Sequence, residues 1–192
     1  MVDDEGAKRI RLFRTMLARF TPGRLVDLGA GHGNFSIMAA DAGWQVTAVD
    51  ARTERFPDDA RVTWVNEDVR KVGLEDFDLV VCLGLFYHLT VDDQLQLLDN
   101  AAGTPMILDT HVGVANSTFP LSDEIELRGY RGRMYQERDL SDARSSWENT
   151  ESFWPTPKAL RRMLTERGYV VLTAPWYRRD RTFFLCLPGV DG

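Results

Sequence analysis

An acid and three alternating glycines accompany the first apolar run of the chain. Asp27 lies within the run over residues 25–28, and Gly29, Gly31 and Gly33 come directly after it. Because glycine has no Cβ, this spacing allows a sharp turn after a strand and a close approach of backbone N–H groups to a ligand. A dinucleotide fingerprint would read G-x-G-x-x-G, whereas the third glycine here comes one position early. The pattern predicts a nucleotide-binding turn, or else a tight turn that is only rich in glycine.

Two further acids follow the next two predicted strands. Asp50 closes a β-branched run over residues 44–50, 17 positions after Gly33. A carboxylate near that offset accepts hydrogen bonds from ribose hydroxyls, so it fits any adenosine-containing ligand, NAD included. Asp68 follows a third run over residues 61–66. An isolated acid there is more often a turn former or a helix N-cap, but as the third acid in order it favours a ligand contact.

The D-x-G-x-G-x-G segment over residues 27–33 resembles the first motif of the class I S-adenosylmethionine-dependent methyltransferases. The resemblance implies that the glycine backbone lines the methionine portion of the cofactor and that Asp27 favours its positive charge. It also implies that Asp68 lies beside the adenine amino group, where Val69 offers its backbone. The residues expected to bind S-adenosylmethionine are Asp27, Gly29, Ala30, Gly31, Gly33, Asp50, Ala51, Asp68, Val69 and Leu83.

A histidine follows the fourth predicted strand. Residues 77–83 form a continuous apolar run, as expected for a strand that is covered on both faces. The continuation GLFYHL over residues 84–89 resembles a G-x-x-x-H-L segment that is common in methyltransferases acting on small molecules and on some tRNAs. A fifth run over residues 105–111 ends with Asp109 and His111. In open α/β sheets the ligand crevice lies outside such strand ends.

The alternation of strand and helix patterns predicts an α/β fold. We expect a single methyltransferase domain over residues 1–192. The family resemblance implies a Rossmann-like, seven-stranded, mostly parallel sheet with helices on both faces and an antiparallel last strand. An amphipathic helix over residues 7–20 is expected to lean on the sheet edge. Hydrophobic periodicity adds helices over residues 34–42, 91–102 and 158–167, and a closing antiparallel pair of strands over residues 169–173 and 182–187.

The stretch over residues 112–152 has no sustained hydrophobic period. Its 41 residues are many for a connection in a compact domain, and such connections tend to be active-site lids or binding inserts. Its aromatic residues can bury enough area to order it, so we expect an ordered lid over the substrate rather than a disordered loop. The continuation from Trp147 to Tyr169 resembles the wobble-uridine carboxymethyl-transfer enzymes, without their large substrate-binding extension.

All three histidines of the chain fall at the ends of predicted strands. Methyl transfer needs an in-line approach to the methyl group, with a base added when the nucleophile is a hydroxyl. His111 is the first choice for that base, because Asp109 two residues before it could orient the imidazole. His88 is the second choice, and His32 is expected to touch cofactor or solvent. A divalent metal on Asp109, His111 and another acid ranks lower, since no metal-ligand spacing is present. The expected substrate contacts are Tyr87, Arg133, Tyr135 and Trp154.

Composition bounds the partners of the protein. The chain has 192 residues and a net charge of −6, which argues against broad nonspecific nucleic-acid binding. Arginines cluster over residues 128–138, 161–162 and 178–181, and we expect these runs to be solvated faces. The two cysteines, Cys82 and Cys186, are expected to be small buried hydrophobes. Without a leader pattern or a membrane-length apolar run, we expect a cytoplasmic location.

The expected function is methyl transfer from S-adenosylmethionine to a small-molecule acceptor. The leading acceptor is an oxygen of a sugar, a polyol or a secondary metabolite. An RNA methyltransferase acting on tRNA is the first alternative, and the acidic balance weighs against it. The second alternative is a nicotinamide-dependent oxidoreductase or a catalytically silent adenosine-binding module, because Asp50 suits the ribose of NAD equally well.

Overall fold

A seven-stranded sheet forms the centre of the molecule. The computed structural model describes residues 4–52, 54–137, 139 and 145–189. In chain order the elements are α1 (Asp4–Leu17), β1 (Arg24–Leu28), α2 (Asn34–Asp41), β2 (Gln45–Asp50), β3 (Val62–Asn66), β4 (Leu79–Leu83), α3 (Val91–Asn100), β5 (Met106–His111), β6 (Ile125–Leu127), β7 (Tyr130–Gln136), β8 (Glu151–Pro155), α4 (Pro157–Thr165), β9 (Tyr169–Thr173) and β10 (Arg181–Pro188). Two short 3-10 turns, Val69–Lys71 and Phe86–His88, follow β3 and β4.

The strand order of the main sheet is β3-β2-β1-β4-β5-β10-β9. The first five strands run parallel, and β10 is antiparallel to both β5 and β9. This confirms the predicted Rossmann-like, mostly parallel sheet with an antiparallel last strand. Because parallel neighbours end at the same edge, the segments that follow β1, β2, β4 and β5 meet there.

Helices cover both faces of the sheet, as predicted. Side chains along a strand alternate between the two faces, so Leu25 of β1 packs with α1 and α2, whereas Val26 and Leu28 pack with α3 and α4. Thr156 caps α4 by accepting a hydrogen bond from the Ala159 N–H. Each face is therefore a separate hydrophobic core, and the strands are buried between the two.

The structure corrects the expected place of α1. The helix lies across the interior strands rather than at the sheet edge, because Phe13 and Leu17 are buried with Ile107 of β5 and Leu185 of β10. Phe13 is completely buried, and an interior position offers it apolar neighbours on all sides. This position brings the start of α1 close to the carboxyl end of β5.

The aperiodic stretch over residues 112–152 and the three residues after it contain a second sheet, formed by β6, β7 and β8. Sequence analysis missed its central strand because Gly132 takes an inward position and the adjacent Met134 and Tyr135 break the alternation of apolar and polar residues. A Cβ on Gly132 would lie 2.4 Å from the Phe153 ring, so the glycine is needed for β7 and β8 to pack. Strand β8 docks on the turn after β4, where the Phe153 N–H donates to the Leu89 carbonyl (3.1 Å). The role of this insert as a lid stays a prediction.

Three smaller expectations concern the cysteines, the arginine clusters and a membrane-spanning segment. Cys82 and Cys186 are buried and unpaired, as predicted. Arg138 of the first arginine cluster lies outside the described residues. In the part of the chain that the structure describes, no helix combines the length and apolar character needed to cross a membrane.

Candidate active site

The glycine turn after β1 places its three glycines in different surroundings. All three have a left-handed φ, of 71°, 54° and 66° for Gly29, Gly31 and Gly33. A Cβ on Gly29 would lie 2.9 Å from the Leu85 Cβ, and a Cβ on Gly33 would lie 2.3 Å from the Trp64 ring. A Cβ on Gly31 would meet only the Arg55 guanidinium, at 3.6 Å. Gly29 and Gly33 therefore serve packing, whereas Gly31 is the glycine that keeps the cleft open.

A cleft of about 480 Å³ opens in front of this turn at the carboxyl ends of the parallel strands. Asp50 lies in it at the end of β2. Its carboxylate accepts hydrogen bonds from the Gly31 N–H (2.9 Å) and the Arg52 N–H (2.9 Å), which fix its orientation. The expected cofactor residues that line the cleft are Gly29, Ala30, Gly31, Asp50, Ala51, Asp68, Val69 and Leu83. Asp27 and Gly33 lie behind the turn rather than on the cleft wall.

Asp27 is buried and hydrogen-bonded within the protein. Its carboxylate accepts a hydrogen bond from the Ser36 hydroxyl at 2.6 Å. Burial raises the pKa of Asp27 to about 6, the charge of Asp50 adds to the rise, and the hydrogen bond from Ser36 only partly offsets it. The expected influence of Asp27 on a bound cation must therefore act through the turn and not by direct contact.

Asp68 is held by its neighbour Arg70. The Asp68 carboxylate caps the following turn through the Arg70 N–H (3.0 Å), and the Arg70 Nε lies 2.8 Å from it. These hydrogen bonds lower the pKa of Asp68. Arg70 also contacts Glu148 at 2.6 Å, so it bridges the β3 side of the cleft and the insert. The adenine contact of Asp68 stays a prediction.

Asp109 is neutralised by two arginines and does not orient His111. Its buried carboxylate lies 2.7 Å from Arg9 and 2.8 Å from Arg181, and it accepts a hydrogen bond from the Tyr177 hydroxyl at 2.6 Å. Burial alone would raise the pKa of Asp109, but the two guanidinium groups outweigh it and lower the pKa. The expected pairing with His111 is therefore wrong. Arg181, expected on a solvated face, is instead part of this buried cluster.

The metal alternative finds no ligand set in the described part of the chain. Among those residues no three of the histidine, cysteine and acidic side chains are grouped so that they could hold a metal ion. Asp109, which would be one of the ligands, forms ion pairs with Arg9 and Arg181 instead.

His111 pairs with Asp180 beneath an aromatic cluster. Its Nδ1 lies 3.2 Å from the Asp180 carboxylate, and its ring stacks on Trp154 at 4.7 Å. The rings of Tyr87 and Phe119 lie 4.7 and 5.0 Å from it, and Arg181 Nη1 lies 3.4 Å from its Nε2. Burial lowers the pKa of His111 even though Asp180 opposes the shift. With 2% of its surface exposed, His111 does not reach the cleft wall.

His88 lies on the cleft wall beside Tyr87. Its Nδ1 is 2.8 Å from the carboxylate of Glu137, a residue just after β7. The Glu137 carboxylate also accepts hydrogen bonds from the Ser152 hydroxyl (2.5 Å) and the Ser146 N–H (3.1 Å). His32 also lines the cleft, but among the described residues His88, the second choice, is the cleft histidine that is hydrogen-bonded to a carboxylate.

Of the four expected substrate residues, Tyr87 alone lines the cleft in the described structure. Trp154 is 1% exposed, stacks between His111 and Tyr135, and donates from Nε1 to the Tyr87 carbonyl (2.9 Å). Arg133 donates to the Ser122 carbonyl at 2.7 Å. Trp154, Tyr135 and Arg133 thus support the wall, and their role in substrate binding stays a prediction.

A short segment of the insert forms part of the cleft wall. Residues 145–149 line the cleft, and the carbonyls of Ser145 and Ser146 accept hydrogen bonds from Arg52 (3.1 and 3.2 Å). The Arg52 guanidinium also lies 5.2 Å from the Trp147 ring centre. The insert therefore contacts the loop that follows β2.

Sequence analysis missed several cleft and support residues. One signal was available: Arg9 is four residues before the buried Phe13, so both lie on the same face of α1. Nothing local marked Glu137 or Asp180, because their partners are 49 and 69 residues away in the chain. The missed residues that line the cleft include Arg9, Phe35, Arg52, Arg55, Arg70 and Arg181.

Comparisons with known proteins agree with this fold. A family model described as a methyltransferase domain matches residues 5–174. No curated protein matches the chain. The N-terminal domain of EvdMO1, solved with SAH and D-fucose present, superposes with a TM-score of 0.72 at 20% identity, over 96% of this chain and 82% of that one. The glycopeptide N-methyltransferase MtfA with S-adenosylmethionine gives 0.62 at 23% identity, over 92% of both chains.

A third structure extends the range of similar proteins. Magnesium protoporphyrin IX methyltransferase from Synechocystis PCC 6803 gives a TM-score of 0.64 at 13% identity, over 98% of this chain and 86% of that one. The family match covers most of the chain, so the alternative of a nicotinamide-dependent oxidoreductase is wrong. The chain belongs to the methyltransferase-domain family and is a class I S-adenosylmethionine-dependent methyltransferase.

Proposed function

We propose that this enzyme methylates a hydroxyl oxygen of a small molecule, with His88 as general base. The observation that carries the proposal is the position of His88 on the cleft wall, with Nδ1 taken by Glu137. A hydroxyl is a poor nucleophile until its proton is removed, whereas a neutral amine already presents a lone pair. A histidine held in this way therefore suits an oxygen acceptor.

The cleft fits S-adenosylmethionine. Gly31 leaves open space at the turn after β1, and Asp50 presents carboxylate oxygens at the end of β2 for the ribose hydroxyls. Arg9 and Arg181 offer positive charge for the cofactor carboxylate, since both line the cleft while paired with Asp109. When bound, the cofactor supplies a methyl group on a cationic sulfur.

The strand order supports this role for His88. Strands β1 and β4 are neighbours, so the turn that carries Gly31 and the turn that carries His88 face the same cleft. As the acceptor oxygen bonds to the methyl carbon and the S–CH₃ bond breaks, the acceptor proton moves to His88 Nε2. The chain otherwise contributes position and exclusion of water, which supply much of the rate of such transfers.

Sugar hydroxyls are the acceptor class that we favour. The EvdMO1 domain was solved in the presence of SAH and D-fucose, a sugar. The net charge of −6 disfavours an extended RNA acceptor. Nitrogen acceptors are the main competitors, because MtfA and the 1,6-didemethyltoxoflavin enzyme of Burkholderia thailandensis are N-methyltransferases.

The test is methyl transfer from radiolabelled S-adenosylmethionine to three acceptor pools. Monosaccharides and polyols, primary and secondary amines, and bulk tRNA are each incubated with the enzyme and with His88→Ala. We expect label in the hydroxyl pool, and a kcat lower by roughly 100-fold or more in His88→Ala, as for removal of a general base. Cofactor affinity, measured by calorimetry, should stay within about 3-fold.

Two results would contradict the proposal. Label that enters amines or tRNA and not hydroxyls would exclude the oxygen acceptor. Full turnover of His88→Ala on a hydroxyl acceptor would remove His88 from the role of base, because the acceptor proton would then leave by a route that does not need His88.

A further inference from the structure

We infer that Glu137 is the positioning residue of His88, an inference that rests on the proposed function. The Glu137 carboxylate lies 2.8 Å from His88 Nδ1, on the side of the ring away from Nε2. Within the described part of the chain, Nε2 has no hydrogen-bond partner. Glu137 would thus act through the imidazole, by fixing which way the base points.

The neighbours of Glu137 determine the direction of this hydrogen bond. Ser152 Oγ accepts a hydrogen bond from the Asn149 amide (3.1 Å), so its own proton is free to go to Glu137 (2.5 Å). The Ser146 N–H can only donate (3.1 Å). A carboxylate surrounded by donors is itself an acceptor, so Nδ1 of His88 must carry a proton. The lone pair of the neutral ring then lies on Nε2, as a base requires.

Charge strengthens the same arrangement. The Glu137 side chain is 1% exposed, and burial alone would raise its pKa. Hydrogen bonds from His88, Ser152 and Ser146 outweigh burial, and the pKa of Glu137 is lowered. The group is therefore a carboxylate at neutral pH, and it stabilises the imidazolium that forms when His88 takes a proton.

The hydrogen bonds of Glu137 also connect the base to the cofactor side of the cleft. Ser146 donates to Glu137 through its N–H, while its carbonyl accepts from the Arg52 guanidinium (3.2 Å). The Arg52 N–H in turn donates to Asp50 (2.9 Å). The hydrogen bonds that orient His88 therefore continue through the wall over residues 145–149 to Asp50.

The test is Glu137→Gln, which removes the charge and keeps the size. We expect kcat to fall roughly 10- to 100-fold, with the KM for acceptor and the affinity for S-adenosylmethionine within about 3-fold. Nitrogen-15 NMR of histidine-labelled enzyme should show His88 as one Nδ1–H tautomer, and as a mixture of tautomers in the variant. A merely structural role would lower the folded fraction and leave the tautomer of folded molecules unchanged.

Two further variants keep the outcome clear. Asp180→Asn makes the same chemical change beside His111, and it should leave the His88 signal unchanged. Glu137→Asp keeps the charge but is shorter by one methylene, so its kcat should fall between those of wild type and Glu137→Gln; it also serves if the glutamine variant does not fold. Full kcat and an unchanged His88 tautomer in both Glu137 variants, with His88→Ala inactive, would overturn the inference alone. Full activity of His88→Ala would overturn the proposed function with it.

Discussion

Two histidine–carboxylate pairs stand near the carboxyl edge of the sheet, and they differ in what surrounds them. The His88–Glu137 pair lies at the cleft, with 15% of the histidine side chain exposed. The His111–Asp180 pair is enclosed by aromatic rings and by Arg181, with 3% of the histidine side chain exposed. Both histidines lie at the carboxyl ends of parallel strands of the same sheet, so strand position alone does not make a base.

The difference comes from the side chains that the insert and strand β8 place beside each histidine. Trp154 of β8 stacks on His111 and excludes it from the cleft, whereas Glu137 holds His88 from the side and leaves it on the wall. A buried histidine that stays neutral also gains little from an adjacent acid, because burial lowers the pKa of His111 despite Asp180. The same two residue types therefore build a structural contact in one place and a candidate base in the other.

The largest expected effect comes from His111→Ala. The substitution leaves a cavity beside Trp154 and a buried Asp180 without its imidazole partner, so the free energy of unfolding should fall by roughly 4 kcal/mol. Among molecules that remain folded, kcat should stay within about 3-fold of wild type. Chemical denaturation and turnover normalised to folded enzyme give the two quantities. A large loss of turnover with unchanged stability would mean that His111, and not His88, is the base.

Sequence patterns predicted the parts of the candidate site that are formed by a few consecutive residues. The turn with Gly31 and the carboxylate of Asp50 were found because glycine spacing and strand ends are visible along the chain. The same holds for the order of strands and helices, since hydrophobic period reports which face is buried.

Long-range partners were not predictable in this way. Asp109 sits two residues before His111, yet its partners are Arg9 and Arg181, which are 100 and 72 residues away. Glu137 lies in a stretch without a hydrophobic period, so nothing indicated that it would meet His88. Choosing between the two histidines required knowing where Trp154 of β8 packs, and that is decided by tertiary contacts.

Asp27 extends the comparison to a buried acid that has no histidine or arginine hydrogen-bonded to it among the described residues. Its pKa is raised to about 6, mainly by burial, whereas the unfolded value is near 4. The folded state then holds the Asp27 proton more tightly, so the contribution of Asp27 to stability falls as pH rises from about 4 to about 6 and is constant above that. Asp27→Asn should therefore raise the free energy of unfolding at pH 7 by at most about 3 kcal/mol, with no gain at pH 4.

Denaturant unfolding of wild type and Asp27→Asn at several pH values checks this window. A gain that is equally large at pH 4 would mean that repacking, and not ionisation, separates the two proteins. The affinity of both proteins for S-adenosylmethionine gives a second test. If Asp27 favours the cofactor's positive charge through the turn, the asparagine variant should also bind S-adenosylmethionine several-fold more weakly at pH 7.

The smallest expected effect is at the rim of the cleft, where Arg70 meets Glu148 at 2.6 Å. The Glu148 side chain is 62% exposed, so water and salt screen the pair and Glu148→Gln should lower the free energy of unfolding by less than about 1 kcal/mol. The difference should shrink in about 1 M NaCl, because the Debye length there is only about 3 Å. Urea titrations at low and high salt measure it. A larger loss that disappears in about 1 M NaCl would mean that the wall over residues 145–149 is held by charge at its rim, and not by the Ser146 hydrogen bonds to Glu137 and Arg52.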